Sequence, residues 1–415
     1  MKLARIDVAA RQRPGPVEAA SVWPDRIVGC EYGDLETLEV LACDWARLCF
    51  CVSISNEAQI VRFTDVERQR AVAQNDVGEA VQEDSPMDPI KRPNRYREMA
   101  DPQARPRYTG IPTYFRAPYT ESLADVDIGV IGVPYDGGVT NRTGARHGPR
   151  AVRDKSSLLR RLHPHGVAPF DTARVRDLGD CWIEQPYELE GALAEIAVFY
   201  QTIVAARVTP LSVGGDHSIS LPILRAVAAD RPVGMIHIDA HCDTGDDYLG
   251  SRFHHGAPFR RATEEGLLDP KRVIQIGIRG TTNDPDMWGF STRSGMRVLA
   301  MEEFHDRGWH YAAEEARRVA GGGPTYLSFD IDSLDPSQVP GTGTPEAGGI
   351  TALEALRLLR ALRGIDFIGG DLVEVAPPFD VGTLTSFNGA SILFEILCLL
   401  VEAWQKRIQV ASRGG

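Results

Sequence analysis

The sequence predicts an α/β fold in which helices cover a central, mostly parallel β-sheet. From about Val126 onward, short runs rich in β-branched residues alternate with helical patterns, an order typical of a parallel sheet with crossover helices. Several of these runs end in Asp or His side chains, at the strand ends where open parallel sheets bind ligands. The predicted strands are VDIGVIGVP, VTPLSVGG, VGMIHIDA, RVIQIGIRG, MRVLAMEE, PTYLSFDID and DFIGGDLVEV, in that order.

Apolar residues at helical spacing predict the helices between these strands. They are Leu189 to Arg207, Tyr311 to Val319, Ala352 to Leu362 and Ala390 to Trp404, and another begins after Pro149. No internal repeat is visible in the sequence.

The first quarter of the chain differs in composition from the rest. Residues 66–107 are rich in charge, Pro, Gln and Asp, so we expect an N-terminal extension over residues 1–107 that is partly disordered, followed by the main domain over 108–409. Met87 could be the natural start of the protein; the alternative is a genuine extension with a peripheral role. The intact mass of the native protein distinguishes the two.

Composition and charge exclude several classes of partner. The formal net charge of -12 and a pI near 5.4 disfavour nucleic acid and anionic membranes, which both reward a basic surface. The N-terminus has no secretory apolar region, and charged residues interrupt the longest apolar stretches. The 7 cysteines have no paired zinc spacing and are interpreted as reduced thiols. We therefore expect a soluble cytoplasmic protein.

Acidic and imidazole side chains gather after three of the predicted strands. Alternate residues of an extended chain face the same side, so Asp239, His241 and Asp243 of DAHCD are expected to converge, and so are Asp330 and Asp332. Four carboxylates brought together would repel strongly unless cations lay between them, so the pattern predicts two divalent metals. Nitrogen and oxygen donors without thiolate favour manganese or nickel. For any single Asp, a helix cap or a turn is the better interpretation, but three such clusters together favour the metal site. The candidate ligands are His217, Asp239, His241, Asp243, Asp330 and Asp332.

The segments GGDHS, DAHCD and SFDIDSLDPSQVPGTGTP resemble the signatures of the ureohydrolase family, which includes arginases and agmatinases. The resemblance covers roughly Asp125 to Glu402. It implies a three-layer α/β/α arginase-like fold, a binuclear metal centre in a catalytic domain, and a homo-oligomer that is a trimer or hexamer. It assigns one metal to His217, Asp239, Asp243 and Asp330, and the other to Asp239, His241, Asp330 and Asp332.

The same resemblance assigns three catalytic roles. Asp243 would hydrogen-bond the attacking hydroxide and pass its proton to the leaving nitrogen. Glu374, in DLVEVAPPFD, would hold the guanidinium group, and His255 would shuttle protons at the mouth of the site. His237 is expected to be a hydrogen-bonded core histidine.

The loop TGDDYLGSRFH carries the prediction of the substrate. Asp246 and its acidic neighbour would repel a carboxylate, so agmatine, guanidine or an alkylguanidine is favoured, with release of urea and an amine or ammonia. Arg252 supports the alternative, a guanidinobutyrase or guanidinopropionase, because it could bind a distal carboxylate. His254 is either a substrate contact or loop filler. Trp288 could line and shorten the pocket or act as a buried anchor.

The segment GVPYDGGVTNRTGARHGPRAVR also resembles a family segment. For most of its polar residues a structural turn is the favoured interpretation, and contact with substrate or a neighbouring subunit is the alternative.

Two functions of other classes stay open at this point. One is a non-catalytic subunit of a hetero-oligomeric ureohydrolase, and the other is a zinc deacetylase with a single metal and fewer ligands. Metal content separates them, because two metals per chain favour the ureohydrolase, one favours the deacetylase and none favours the non-catalytic subunit.

Overall fold

The computed structural model describes residues 106–282 and 286–414, together with the backbone of four short strands nearer the N-terminus. These strands form two antiparallel pairs, β1 (Arg5–Asp7) with β2 (Thr37–Glu39) and β3 (Phe50–Ile54) with β4 (Glu57–Val61). The rest of the predicted N-terminal extension, including Met87, lies outside the described residues.

The main domain is built on an eight-stranded sheet in which all neighbouring strands are parallel, in the order β10-β9-β8-β11-β12-β7-β5-β6. The strands are β5 (Ile128–Val133), β6 (Val175–Asp180), β7 (Thr209–Gly214), β8 (Val233–Ile238), β9 (Leu268–Ile278), β10 (Arg297–Ala300), β11 (Thr325–Asp330) and β12 (Phe367–Val373). The predicted α/β fold with a parallel sheet is confirmed.

The sequence did not predict strand β6. Its residues, VRDLGD, lack a continuous apolar run because the strand forms one edge of the sheet and only part of it is buried. The other seven strands follow the predicted runs.

The helices lie on both faces of this sheet. They are α1 (Gly148–Ser156), α2 (Pro169–Thr172), α3 (Leu189–Ala205), α4 (Ser220–Val227), α5 (Pro258–Glu264), α6 (Met287–Ser294), α7 (Met301–Ala320), α8 (Ala352–Ala361) and α9 (Leu384–Gly414). Helix α7 begins ten residues before the predicted Tyr311 and contains a break at Gly308, where φ is 78°.

Alternation along the strands divides the core into two apolar clusters. Ile128 and Val130 of β5 belong to the cluster that contains residues of α1, α2, α7, α8 and α9, whereas Ile131 and Val133 belong to the cluster with α3, α4 and α5. The result is the three-layer α/β/α arrangement. Helix α9 is long and apolar enough to cross a membrane by length and composition, but 78% of its most apolar window is buried inside the protein, as in a core helix.

Candidate metal centre and active site

The chemistry-bearing side chains meet at the carboxyl ends of four adjacent strands, β8, β11, β12 and β7. His217 lies in a 3-10 turn after β7, and Asp239 follows β8 directly. Asp330 is the last residue of β11, and Glu374 follows β12. Parallel strands end on the same edge of a sheet, so these four side chains converge although they are far apart in sequence.

Tight turns, and not extended strands, bring the remaining acids into the cluster. Strand β8 ends at Ile238, and the Asp239 carboxylate accepts a 2.6 Å hydrogen bond from the backbone N–H of His241. Asp243 has a φ of 53°, so the chain reverses there. The expectation that DAHCD converges by alternation along one extended strand is therefore wrong, although its side chains do meet.

Three carboxylates surround the imidazole of His217. Its Nδ1 atom lies 3.2 Å from Asp239 Oδ2, 2.9 Å from Asp243 Oδ2 and 3.2 Å from Asp330 Oδ2. The same Nδ1 atom is buried and has no aligned hydrogen-bond partner among the described residues. A nitrogen without a partner that faces three carboxylate oxygens fits a bound cation.

A second group shares Asp239 with the first. His241 Nδ1 lies 3.4 Å from Asp239 Oδ1 and 3.2 Å from Asp332 Oδ2. One oxygen of Asp239 thus faces His217 and the other faces His241, as expected of a ligand between two metals. Burial and the charges of Asp332 and Asp239 raise the pKa of Asp330 well above its usual value, so a nearby cation would favour the ionised form of this carboxylate.

Buried partners orient these ligands. His217 Nε2 lies 2.8 Å from the Ser328 hydroxyl, which donates a 2.7 Å hydrogen bond to Asp371. This leaves Nδ1 of His217 for the centre of the cluster. His237 is fully buried, 2.7 Å from Asp239 through Nε2 and 3.2 Å from the Gln275 amide through Nδ1. His237 is therefore a hydrogen-bonded core histidine, and its Nε2 also lies within the cluster of potential ligand atoms.

Glu374 lines a cavity of about 960 Å³. Its Oε1 atom accepts a 2.9 Å hydrogen bond from the His217 backbone N–H and lies 2.9 Å from His255 Nδ1. Its Oε2 atom is buried and has no partner among the described residues. Burial lowers the pKa of His255, but the charge and hydrogen bond of Glu374, together with the charges of Asp216 and Asp243, raise it to about 9. The cavity thus contains an acceptor suited to a cationic N–H donor, beside the carboxylate cluster.

The predicted substrate residues are distributed unequally around this cavity. Asp246 and His254 line it, together with Asp247, Tyr248 and Asn141. Arg252 is 58% exposed at its side chain and donates a 2.8 Å hydrogen bond to Glu264. Neither Arg252 nor Trp288 is among the described residues that line the cavity.

The charge of Asp246 is compensated by two arginines of α5. Asp246 Oδ2 lies 2.8 Å from Arg260 Nη2, and Asp246 Oδ1 lies 2.8 Å from Arg261 Nη2. Hydrogen bonding to Arg261 lowers the pKa of Asp246, so the ion pair persists at neutral pH. Asp247 accepts a hydrogen bond from the Gly250 N–H and shapes the loop. The prediction that Asp246 repels a carboxylate treated its charge as unpaired, whereas two arginines that also contact Glu264 pair with it.

Comparison with known proteins identifies the family. The Arginase family matches residues 126–399, which is more than half of the 415 residues. This chain belongs to the arginase family. Guanidinopropionase of Pseudomonas aeruginosa is 54% identical over 312 residues, which cover 75% of this chain and 98% of that protein. Mitochondrial agmatinase of Gallus gallus is 44% identical over 314 residues, covering 75% of this chain and 92% of that protein.

A solved structure supports the same relationship. The proclavaminate amidino hydrolase from Streptomyces clavuligerus matches this ureohydrolase with a TM-score of 0.70 and 39% identity, covering 72% of this chain and 99% of that one. The predicted fold, family and reaction class, hydrolysis of linear amidines, are confirmed. The family implies a binuclear metal site, and the His and Asp cluster fits it.

Sequence reasoning missed several residues that shape the ureohydrolase cavity. Thr140 contacts His255, and Arg142 donates to the backbone carbonyls of Thr342 and Gly343. Both lie in the segment that begins at GVPYD, whose resemblance to the family marked it, but no local pattern shows which of its polar residues face the cavity. The run FRRA, which begins three residues after Gly256, was the sequence signal that could have indicated the two arginines that pair with Asp246.

Proposed function

We propose that this ureohydrolase converts a guanidino acid and water into urea and the corresponding amino acid, with guanidinopropanoate as the first candidate. The observation that carries the proposal is the 54% identity to a guanidinopropionase along 98% of that protein. Agmatine is the second candidate because a protein named agmatinase is 44% identical to this chain.

The charges around the cavity support a substrate with a carboxylate. The acidic loop was the reason to disfavour a substrate with a carboxylate, but ion pairs with Arg260 and Arg261 compensate the charge of Asp246 in that loop. Arg142 also lines the cavity, where it donates to two backbone carbonyls and has no carboxylate partner among the described residues. The cavity therefore has cationic as well as anionic walls.

The roles of the site residues follow from their contacts. His217, Asp239, Asp243 and Asp330 would hold one divalent ion, and Asp239, His241, Asp330 and Asp332 the other. Bound manganese or nickel would lower the pKa of a water molecule, so that hydroxide is available to attack the guanidinium carbon at neutral pH.

Glu374 would bind the substrate guanidinium through Oε2, since its other oxygen already accepts two hydrogen bonds. Asp243, at the cavity edge, would pass a proton to the leaving nitrogen, and His255 would exchange protons with solvent. His254 lines the same cavity as a substrate contact. A cytoplasmic homo-oligomer, trimeric or hexameric, remains part of the proposal.

Urea release tests the substrate and the metal together. The purified protein, loaded separately with Mn²⁺ and Ni²⁺, is assayed with guanidinopropanoate, guanidinobutanoate, agmatine, guanidine, N,N-dimethylguanidine and arginine. We expect kcat/KM for one of the two guanidino acids to exceed the value for agmatine by about tenfold or more, equivalent to about 1.4 kcal/mol of differential transition-state binding. A preference for agmatine, guanidine or dimethylguanidine would overturn the proposal, and no turnover by protein with two bound metals would point to an untested alkylguanidine or to a missing partner subunit.

A further inference from the structure

One short segment holds the ring and the backbone of His255 at the same time. The backbone N–H of Thr140 donates to His255 Nε2 at 3.2 Å, and the Thr140 hydroxyl lies 2.8 Å from the same nitrogen. The backbone N–H of His255 donates to the Gly138 carbonyl at 2.8 Å. The other ring nitrogen, Nδ1, lies 2.9 Å from Glu374 Oε1. Both nitrogens of the ring therefore have fixed partners.

The segment from Gly138 to Thr140 is itself anchored in the core. The Gly138 N–H donates a 2.7 Å hydrogen bond to Asp216, a fully buried carboxylate that also accepts from the Ser218 N–H at 2.9 Å. A Cβ atom at position 138 would lie 2.8 Å from the Ser218 side chain, so glycine is required for this close approach. Buried groups thus fix Gly138, two residues before Thr140, which is itself exposed and lines the cavity.

We propose that Thr140 is a positioning residue, which orients the His255 ring and through it the Glu374 carboxylate that faces the substrate. The inference rests on the proposed function, because it gives His255 and Glu374 their roles. Thr140 lines the same cavity as both of them. Glu374 Oε1 is held by His255 on one side and by the His217 backbone on the other, which leaves Oε2 as the carboxylate oxygen without a partner among the described residues.

The two contacts from Thr140 act on different states of the ring. Because its backbone N–H points at Nε2, the neutral ring keeps a lone pair on Nε2 and carries its hydrogen on Nδ1, facing Glu374. When the ring carries both hydrogens, the Thr140 hydroxyl can accept from Nε2 at the same distance of 2.8 Å. Only the hydroxyl can do this, so the side chain and not the backbone is the part to remove.

Substitution of the hydroxyl tests the proposal. Thr140→Val keeps the shape and the backbone N–H but removes the hydroxyl. Thr140→Ser keeps both the backbone N–H and the hydroxyl. We expect Thr140→Val to lower kcat about tenfold, with KM changed less than about threefold, and Thr140→Ser to stay within about twofold of the original protein. Thr202→Val is the matched control, since Thr202 is an exposed helix residue whose hydroxyl donates to a backbone carbonyl away from the cavity. All four proteins are compared at equal metal content.

Two outcomes would overturn the proposal. One is an unchanged kcat in Thr140→Val, and the other is an equal loss in Thr140→Ser, which would point to the shape of the side chain. Crystal structures of both variants give a readout that needs no substrate: the His255 ring should leave Glu374 Oε1 in Thr140→Val and remain in contact with it in Thr140→Ser. If the original protein hydrolyses only agmatine, the guanidino acid proposal fails while the Thr140 series is measured with agmatine. If it hydrolyses nothing, the crystal structures alone decide.

Discussion

Glu374→Gln should abolish most of the activity without loss of the fold. Oε1 of Glu374 accepts from two N–H groups, so the amide oxygen of the variant will take that position and its NH₂ group will replace Oε2 in the cavity. The NH₂ group then faces the N–H donors of the guanidinium. The lost charge-assisted hydrogen bond is worth about 1.5–3 kcal/mol, which corresponds to about 10- to 150-fold in kcat/KM.

The assay is urea release at several substrate concentrations, with metal content and thermal unfolding measured on the same preparations. Glu374 is 1% exposed and its charge stabilises protonated His255, so removing that charge should lower Tm modestly, while the amide oxygen keeps both hydrogen bonds of Oε1. Glu302→Gln, at an exposed position in the first turn of α7, is the control for a neutralised glutamate. A Glu374→Gln protein with two metals and kcat/KM within about threefold of the original would refute the reasoning.

Three further measurements address the metals, the thiols and a surface ion pair. Chelation should lower Tm by several degrees, because the buried carboxylates then repel one another, and Tm should return when Mn²⁺ or Ni²⁺ is added back; an unchanged Tm would contradict the metal site. Burial raises the pKa of Cys181 to about 12, so peptide mapping should find it unmodified by iodoacetamide at pH 8 in the folded protein and modified in urea. Hydrogen bonds from Arg318 and Arg297 lower the pKa of Glu315 from 4.5 to about 2, although burial acts in the opposite direction. Because the folded-state pKa of Glu315 is depressed, this residue stabilises the fold above pH 4.5, by about 1 kcal/mol after solvent screening, and the stabilisation is lost as the pH falls toward 2. Glu315→Gln should therefore lower Tm at pH 7 and lower it less at pH 4.

The fold was predictable because most strands of this sheet are buried on both faces. Seven of the eight strands carry the apolar runs that such burial requires, and the runs alternate with amphipathic helices. Strand β6 was missed for the same physical reason, since at an edge of the sheet the requirement is relaxed and VRDLGD contains two Asp and an Arg. The start of α7 was missed because Gly308 interrupts the helical pattern with a positive φ.

The cluster of candidate metal ligands was predictable from residue type and position at strand ends, but the geometry that unites these residues was not. Asp239 and Asp330 each accept a hydrogen bond from the backbone N–H two residues later, which folds the chain back so that the next ligand joins the cluster. Asp243 adopts a left-handed backbone conformation, which an Asp residue tolerates but which its presence in a sequence does not predict. Alternation along an extended strand predicted that these side chains converge, but the chain brings them together through tight turns.

The substrate was harder to predict than the chemistry, because it depends on which charges remain uncompensated once the chain is folded. Asp246 and Arg261 are 15 residues apart and meet only because α5 packs beside the loop. In the sequence of the loop, Asp246 is an unpaired negative charge. In the folded protein it pairs with one buried and one partly buried arginine. A carboxylate entering the cavity interacts with this folded arrangement and not with the sequence of the loop. The residue type alone says whether a side chain can bind a metal. The charge that a substrate meets depends instead on which acidic and basic side chains pair after folding. Charge pairs between the loop and α5, more than the acidity of the loop alone, should therefore separate guanidino acid hydrolases from agmatinases that share this metal centre.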